Sequence, residues 1–164
     1  MGYKMDLIAK RIAHPYINEQ VVQIRRDQGV VWLPHLNSAL QVVRRLKKGE
    51  FIVAVMDQNM KRSQGVFVDF FGRPASTVDS VARMAVRLGA EVIPGYGLWE
   101  NGARHRIVLC EPVPMVDTGN AKADAVANTQ AITDVIEQIV RGHPEQWFWI
   151  HRRWKLRPLK EAGS

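Results

Sequence analysis

An acidic residue and two cations lie close together in the sequence, just after the most apolar run of the chain. Asp57 and Gln58 directly follow "FIVAVM", and Lys61 and Arg62 come later in the same polar stretch. In open α/β sheets, ligands bind outside the carboxyl ends of the strands. A carboxylate beside cations can orient an acceptor hydroxyl or a phosphate, but the residues alone favour the ordinary alternative. The ordinary alternative is an Asp that caps a turn next to two solvated cations.

The stretch "VFVDFFG" follows that loop and is apolar on both faces of a predicted strand. By strand alternation, Phe67 and Phe71 point to the face opposite Phe70. One of these faces can line a pocket for an aliphatic chain, and the ordinary alternative is a strand in the core. Asp69 lies between the aromatic residues and requires a partner, for which we predict Arg73.

The stretch "HPEQWFWIHRRWKLRP", near the end, holds three of the five tryptophans and four Arg or Lys residues. At helical spacing Trp147, Ile150 and Trp154 share one side. Tryptophan suits a polar–apolar boundary and arginine suits phosphate. The same residue types can stack bases of single-stranded nucleic acid. A terminal helix that docks its tryptophans into the core is the ordinary alternative, and we expect Trp147 and Phe148 to be buried in this way whatever the function. The cations that we expect to meet phosphates or anionic lipid are Arg152, Arg153 and Lys155.

Several common catalytic and binding motifs are missing from the sequence. It has no nucleophile elbow, no P-loop, no dinucleotide-binding glycine pattern and no zinc-ligand spacing, so we predict neither a metal nor a cofactor. His14 and Glu19 are five residues apart, a spacing that some acyltransferases use for a base and its carboxylate. With 5 His and 16 acids in 164 residues, about 0.5 such pairs are expected by chance, so we reject this pair as catalytic.

The amino-acid composition is that of a basic globular protein. The net charge is +7, 46% of the residues are hydrophobic, and Cys110 is the only cysteine, which excludes an internal disulfide. The charge makes an anionic partner plausible without specifying it. The first twenty residues lack the apolar core of a signal peptide, and the longest apolar run, residues 51–56, is far too short to span a membrane. We predict one domain over residues 1–164.

Caps and periodicity predict alternating strands and helices. The predicted elements are a helix from Pro15 to before Gly29, a strand at 30–33, a helix with Asn37 as N-cap that ends before Gly49, a strand buried on both faces at 51–57, an extended segment at 66–72, a helix capped by Thr77, a hairpin of strands 90–99 and 103–111, and a helix at about 121–141. This order predicts an α/β fold with a mixed, largely parallel sheet flanked by helices.

Taken together, these motifs resemble the bacterial lipid A biosynthesis acyltransferases, the late lauroyl and myristoyl transferases. The resemblance rests on "DQN…R…GVFVDFFGRPAST", then "ARMAVRLGAEVIPGY", and then the tail "HPEQWFWIHRRWKLRP", in that order. It covers nearly the whole chain from about "HPYINEQV" onward. The family usually has Pro where this chain has Asp69.

The resemblance implies a glycerolphosphate-acyltransferase-like fold and transfer of a fatty acyl chain to a hydroxyl of a lipid A precursor. It implies acyl carrier protein as donor and action at the cytoplasmic face of the inner membrane. It also implies roles for three groups of residues. Asp57, Gln58 and Arg62 lie near the active site, Phe67, Phe70 and Phe71 contact the acyl chain, and Arg152, Arg153 and Lys155 bind the acceptor.

The family's His-x4-acid base lies upstream of the matched region. We therefore expect this chain to be the C-terminal portion of an acyltransferase, with an incomplete fold and little activity of its own. A non-catalytic module that binds anionic lipid remains an alternative, and a single-stranded nucleic-acid binder is a weaker one that we do not favour, because the basic residues are scattered.

Overall fold

The computed structural model describes residues 5–9, 12–34 and 39–158. The chain divides into two compact units, Met1–Val55 and Met56–Ser164, and each is described by itself.

The first unit is built from strand–helix alternation. Its strands are β1 (Met5–Ala9), β2 (Val30–Pro34) and β3 (Phe51–Ala54), and its helices are α1 (Pro15–Asp27) and α2 (Ala39–Leu46). The strands form a parallel sheet in the order β2-β1-β3. Helical connections are what parallel neighbours require, since a short turn cannot return the chain to the same end of the sheet.

Helix α1 confirms the prediction from Pro15 and Gly29. Pro15 lies in its first turn, and the backbone N–H of Ile17 donates to Nδ1 of His14, 3.5 Å away. His14 therefore acts as the N-cap of this helix. Gly29 follows the helix with a φ of 77°, a backbone conformation that favours glycine. The predicted cap at Asn37 lies outside the described residues.

The first sheet differs from the prediction in one missed strand and one wrong expectation. Strand β1 was not predicted, although it pairs with both other strands and carries the buried Asp6, whose Oδ2 lies 3.1 Å from Nε of Arg45. Strand β3 was expected to be buried on both faces. It is an edge strand instead, and Phe51 and Val53 are exposed.

The second unit begins with a hairpin that the sequence did not predict. Strands β4 (Gly65–Phe70) and β5 (Arg73–Val78) pair antiparallel. Phe71 and Gly72 form the turn with φ values of 57° and 70°, the signs of a type I′ turn. Thr77 is a buried residue of β5, so its prediction as a helix cap is wrong. Helix α3 (Ser80–Leu88) begins after Asp79.

The rest of the second unit follows the predictions closely until the tail. Strands β6 (Gly95–Asn101) and β7 (Arg104–Leu109) form the predicted hairpin, and helix α4 (Ala121–Gly142) matches the predicted long helix. The side-chain amide of Gln146 bonds the outer edge of β6: its Oε1 accepts from the N–H of Trp99 at 2.8 Å, and its Nε2 donates to the carbonyl of Trp99 at 3.1 Å.

The core of this unit has two clusters of apolar residues. One surrounds the buried Met56, Ala82, Val113 and Ile132, and the other surrounds Phe70, Ala75 and Val140, with Trp147 and Trp154 packed against it. Helix α4 contributes to both clusters. It thus forms the support on which the β4–β5 hairpin and the tail rest.

The predicted helix in the tail is wrong. After a short 3₁₀ turn at Pro144–Gln146, residues 147–158 form successive turns without a helix. Trp147 and Trp154 pack on Phe70, whereas Ile150 is 84% exposed. Phe148 is 65% exposed, so its predicted burial in the core is also wrong.

The observed class is α/β, as predicted, but the sheet differs from the prediction. The described strands form three separate sheets, one parallel and two antiparallel, rather than one mixed sheet. No helix among the described residues is long and apolar enough to cross a membrane.

Candidate active site

The loop after residue 56 and the tail are fastened together, although almost a hundred residues separate them in sequence. The N–H of Asn59 donates to Nε2 of His151 at 2.9 Å, and Oδ1 of Asn59 accepts from the N–H of Leu156 at 3.2 Å. The guanidinium of Arg62 donates to the carbonyl of Arg157 at 2.7 Å. The loop that carries Asp57, Gln58 and Arg62 is therefore bonded to the tail that carries Arg152, Arg153 and Lys155.

Strand β5 joins the same cluster through its backbone. The carbonyl of Ser76 accepts from the N–H of Met60 at 3.1 Å and from a guanidinium nitrogen of Arg153 at 2.8 Å. A second guanidinium nitrogen of Arg153 donates to the hydroxyl of Thr77. The loop after residue 56 and the tail thus both contact the hairpin at β5, through Ser76 and Thr77.

Arg153 was predicted to be a cation that binds the acceptor. In the structure it lies in the interior instead. The residue is 2% exposed, and its guanidinium lies 5.3 Å from the ring centroid of Phe70. Burial lowers the pKa of Arg153 to about 10, while the negative charge of Asp57 acts in the opposite direction. Nε of Arg153 and Oδ1 of Asp57 are both buried without a hydrogen-bond partner among the described residues. Arg153 is therefore buried, whereas its neighbour Arg152 is exposed.

Phe70 is enclosed by other side chains. It is 1% exposed, its ring stacks on Trp154 with centroids 5.6 Å apart, and Trp147 lies 5.8 Å away. Nε1 of Trp154 also donates to the carbonyl of Phe70 at 3.2 Å. This side of β4 is filled by aromatic packing, which rigidifies the hairpin against the tail.

Phe67 and Phe71 are more accessible than Phe70, although the ring of Phe71, in the turn, contacts that of Phe70 edge-on with centroids 4.8 Å apart. Phe67 and Phe71 are half-buried, and each carries an arginine over its ring: Arg62 at 5.3 Å from the Phe67 centroid and Arg141 at 4.7 Å from the Phe71 centroid. Aromatic faces attract cations in this geometry. Of the three predicted acyl-contacting phenylalanines, these two are the ones with exposed surface.

The turn at Phe71 is held in a conformation that non-glycine residues rarely adopt. Its N–H donates to Oε2 of Glu137 at 2.6 Å, and Glu137 pairs with Arg141. The hydrogen bond from Phe71, followed by the bond from Arg141, lowers the pKa of Glu137. Backbone strain of this kind persists where surrounding contacts fix it, and it occurs often at functional sites.

Asp69 has different partners from the one predicted. It is exposed, and its Oδ1 accepts from the N–H of Gly72 at 2.9 Å, which caps the turn. Gln130 bonds its backbone N–H and carbonyl. Arg73 lies 5.4 Å from the ring centroid of Trp154 instead, so its prediction as the partner of Asp69 is wrong.

The remaining predicted residues lie at the surface of the cluster. Gln58, Arg62, Arg152 and Lys155 are exposed, and Asp57 is half-buried. Two cavities of the second unit are lined by other residues, one around Ala85 and Pro112 and one around Lys122 and Val126. Among the described residues, no group of three or more His, Cys, Asp or Glu is placed to hold a metal ion.

Sequence reasoning missed several residues that build the cluster: Asn59, Ser76, Thr77, Glu137 and His151. One signal was available for the hairpin. Gly72 after an apolar run is a turn signal, and Thr77 and Val78 are residue types that favour a strand. The bonds of Asn59, His151 and Glu137 join distant segments, for which local sequence carries no signal.

Comparison with known proteins agrees with this arrangement of motifs. The model of the family "Bacterial lipid A biosynthesis acyltransferase" matches residues 2–156, almost the whole chain. The match includes the loop, the hairpin and the tail up to Leu156.

Individual relatives are more distant. A phosphatidylinositol mannoside acyltransferase from Mycobacterium tuberculosis (strain CDC 1551 / Oshkosh) is 26% identical over 94% of this chain and 48% of its own length. The lipid A biosynthesis myristoyltransferase of Escherichia coli (strain K12) is 26% identical over 95% of this chain and 47% of its own length. The lauroyltransferase of the same strain is 28% identical over 71% and 38%. The chain spans about half the length of the curated relatives it matches, or less. From the extent of the family match, this chain belongs to the bacterial lipid A biosynthesis acyltransferase family.

Proposed function

We propose that this chain carries part of a site that transfers a fatty acyl chain from acyl carrier protein to a hydroxyl of a lipid A precursor, at the cytoplasmic face of the inner membrane. The observation that carries the proposal is the convergence of Asn59, Ser76, Arg153 and His151, which unites the family's separate motifs in one cluster. The names of relatives support an acylated glycolipid as product.

We assign to Asp57 the role of binding and activating the acceptor hydroxyl. Asp57 is half-buried: its Oδ1 is buried without a hydrogen-bond partner among the described residues, so the acceptor hydroxyl is assigned to the other carboxylate oxygen. A hydroxyl that donates to this oxygen turns its lone pair toward the thioester carbon of the donor. The hydroxyl oxygen then forms the ester bond as the carbon–sulfur bond breaks, the hydroxyl proton passes through Asp57 to the departing carrier thiolate, and no covalent enzyme intermediate is involved. Gln58 and Arg62 lie in the same loop and border this position.

In this proposal, the acyl chain and the acceptor phosphates bind to separate surfaces of the protein. Phe67 and Phe71 contact the acyl chain, because they keep accessible surface, whereas Phe70 supports them from the packed side of the strand. Arg152 and Lys155 are exposed and meet the phosphates of the acceptor. Arg153 acts from the interior by fixing the tail to β5.

The test is an acyl-transfer assay with labelled acyl carrier protein and a lipid A precursor. The protein translated from the complete open reading frame is assayed beside this chain. We expect Asp57→Asn to lower kcat by about a hundredfold or more while the chain stays folded, since an amide binds a hydroxyl without accepting its developing charge. Asp134→Asn is the matched control on the exposed side of α4, where we expect no change.

Two results would contradict the proposal. One is an absence of transfer from acyl carrier protein or acyl-coenzyme A to either a lipid A precursor or a phosphatidylinositol mannoside. The other is full activity in Asp57→Asn. Transfer to the mannoside alone would leave acyl transfer in place and correct the acceptor.

A further inference from the structure

Three consecutive large apolar side chains are exposed in the tail. Phe148 is 65% exposed, Trp149 is 53% exposed and Ile150 is 84% exposed. Single exposed apolar residues are common on soluble proteins, but a contiguous group of this size marks an interaction surface. We call residues 148–150 the FWI loop.

The FWI loop is held in place by its own hydrogen bonds. Nε1 of Trp149 donates to the carbonyl of Pro144 at 2.7 Å, and the N–H of His151 donates to the carbonyl of Phe148 at 3.0 Å. His151 in turn accepts from the N–H of Asn59. The loop therefore presents its apolar side chains from a fixed backbone, so little conformational entropy is lost when a partner covers them.

Positive charge borders the FWI loop. Residues 141–158 contain five Arg or Lys residues and one Glu. Arg152 and Lys155 are exposed beyond the loop. On the other side, Trp149 lies 6.3 Å from Phe71, whose ring is covered by the 60% exposed Arg141. The surface thus combines a protruding apolar tip, a tryptophan and a cationic border.

We propose that the FWI loop inserts into the surface of an anionic phospholipid bilayer. An apolar tip is stabilised in the acyl boundary, a tryptophan is stabilised at the headgroup level, and bordering cations are attracted to anionic lipid. The inference rests on the proposed function for its place of action, because an acceptor anchored in a membrane must be met there. Its test requires no catalytic activity, so the two proposals can fail separately.

The experiment measures sedimentation of the chain with vesicles of equal parts phosphatidylglycerol and phosphatidylcholine. The variant Phe148→Ser with Ile150→Ser removes the apolar tip at positions whose exposure makes a folding defect unexpected. We expect its partition onto vesicles to fall about tenfold or more at about 0.1 M salt. Pure phosphatidylcholine vesicles are expected to bind the unsubstituted chain more weakly.

The matched control is Ile107→Ser with Leu109→Ser. These residues are 78% and 70% exposed on β7, so the control removes similar apolar area from another surface. We expect it to bind vesicles within about twofold of the unsubstituted chain. The proposal is overturned if the FWI variant binds normally, if both variants lose binding equally, or if phosphatidylcholine alone binds as well as the anionic mixture.

A second measurement uses the intrinsic tryptophan fluorescence of the chain. Vesicles that contain brominated lipid should quench part of the tryptophan fluorescence, and Trp149→Phe should remove most of the quenchable part. Unchanged quenching in Trp149→Phe would place the contact at another tryptophan and overturn the proposal.

Discussion

The guanidinium of Arg153 donates to the carbonyl of Ser76 at 2.8 Å, across 77 residues of sequence. The same carbonyl accepts from the N–H of Met60, so one backbone oxygen joins the tail, β5 and the loop after residue 56. Because Arg153 is almost fully buried, this contact is shielded from water and from salt. The consequences can be tested by substitution.

Arg153→Met should destabilise the second unit strongly. The substitution leaves the Thr77 hydroxyl without this donor and removes a positive charge that interacts with the partly buried Asp57. We expect the free energy of unfolding to fall by about 2–4 kcal/mol. Arg152→Met, at the exposed neighbour, should change it by no more than about 0.5 kcal/mol. Urea unfolding of both variants provides the measurement, and equal stability of the two would contradict the assigned role of Arg153.

Gly72→Ala should destabilise the β4–β5 hairpin. Gly72 has a φ of 70° and open space around the position of a Cβ, so the cost is backbone strain alone. We expect a loss of about 1–2 kcal/mol in the free energy of unfolding. Gly97→Ala is the control, since Gly97 also has open space but no positive φ. A loss at Gly97 as large as that at Gly72 would show that turn strain is not the cause.

Glu137→Gln should make the stability of the chain less sensitive to acid. The hydrogen bond from the N–H of Phe71 holds the pKa of Glu137 below the ordinary value of 4.5. With a lower pKa in the folded state, the ionised carboxylate stabilises the fold above the ordinary pKa, and that contribution is lost as the pH falls through the folded pKa. Between about pH 5 and about pH 3, the unsubstituted chain should therefore lose more stability than Glu137→Gln.

The check on this pH dependence is urea unfolding at a series of pH values. Glu145→Gln is the matched control, because Glu145 is a carboxylate with a 65% exposed side chain. It should keep the pH dependence of the unsubstituted chain. Parallel curves for the unsubstituted chain and Glu137→Gln would rule out this source of acid sensitivity.

His151→Ala should loosen the loop at Asn59. The imidazole Nε2 is the acceptor for the N–H of Asn59, and its removal exposes that amide to exchange. We expect faster hydrogen exchange at Asn59 and a loss of about 1–2 kcal/mol in stability. His105→Ala, at an exposed residue of β7, should leave both unchanged. Exchange at Asn59 that does not respond to His151→Ala would contradict this contact.

Local signals predicted the elements whose ends are marked in the sequence. Pro15 and Gly29 delimit α1, and the apolar period of α4 predicted a helix at about 121–141. The β4–β5 hairpin was missed because Thr77, before a helical period, imitates an N-cap. The apolar period that followed was real, and the helix begins only three residues later, at Ser80.

The tail shows why periodicity alone is insufficient. The spacing of Trp147 and Trp154 fits a helix, but both rings pack on Phe70 from a chain that turns repeatedly. Arg152 and Arg153 are adjacent and identical in type, yet one is exposed and the other buried. Their difference arises from partners more than 70 residues away, which no local pattern encodes.

The amide of Gln146 occupies both backbone groups of Trp99 that point away from β7. A strand from another molecule that approached this side of the hairpin would find its donor and acceptor already taken at that residue. One glutamine thus protects the hairpin from edge-to-edge aggregation at this residue, while the aromatic ring of Trp99 stays more than half exposed.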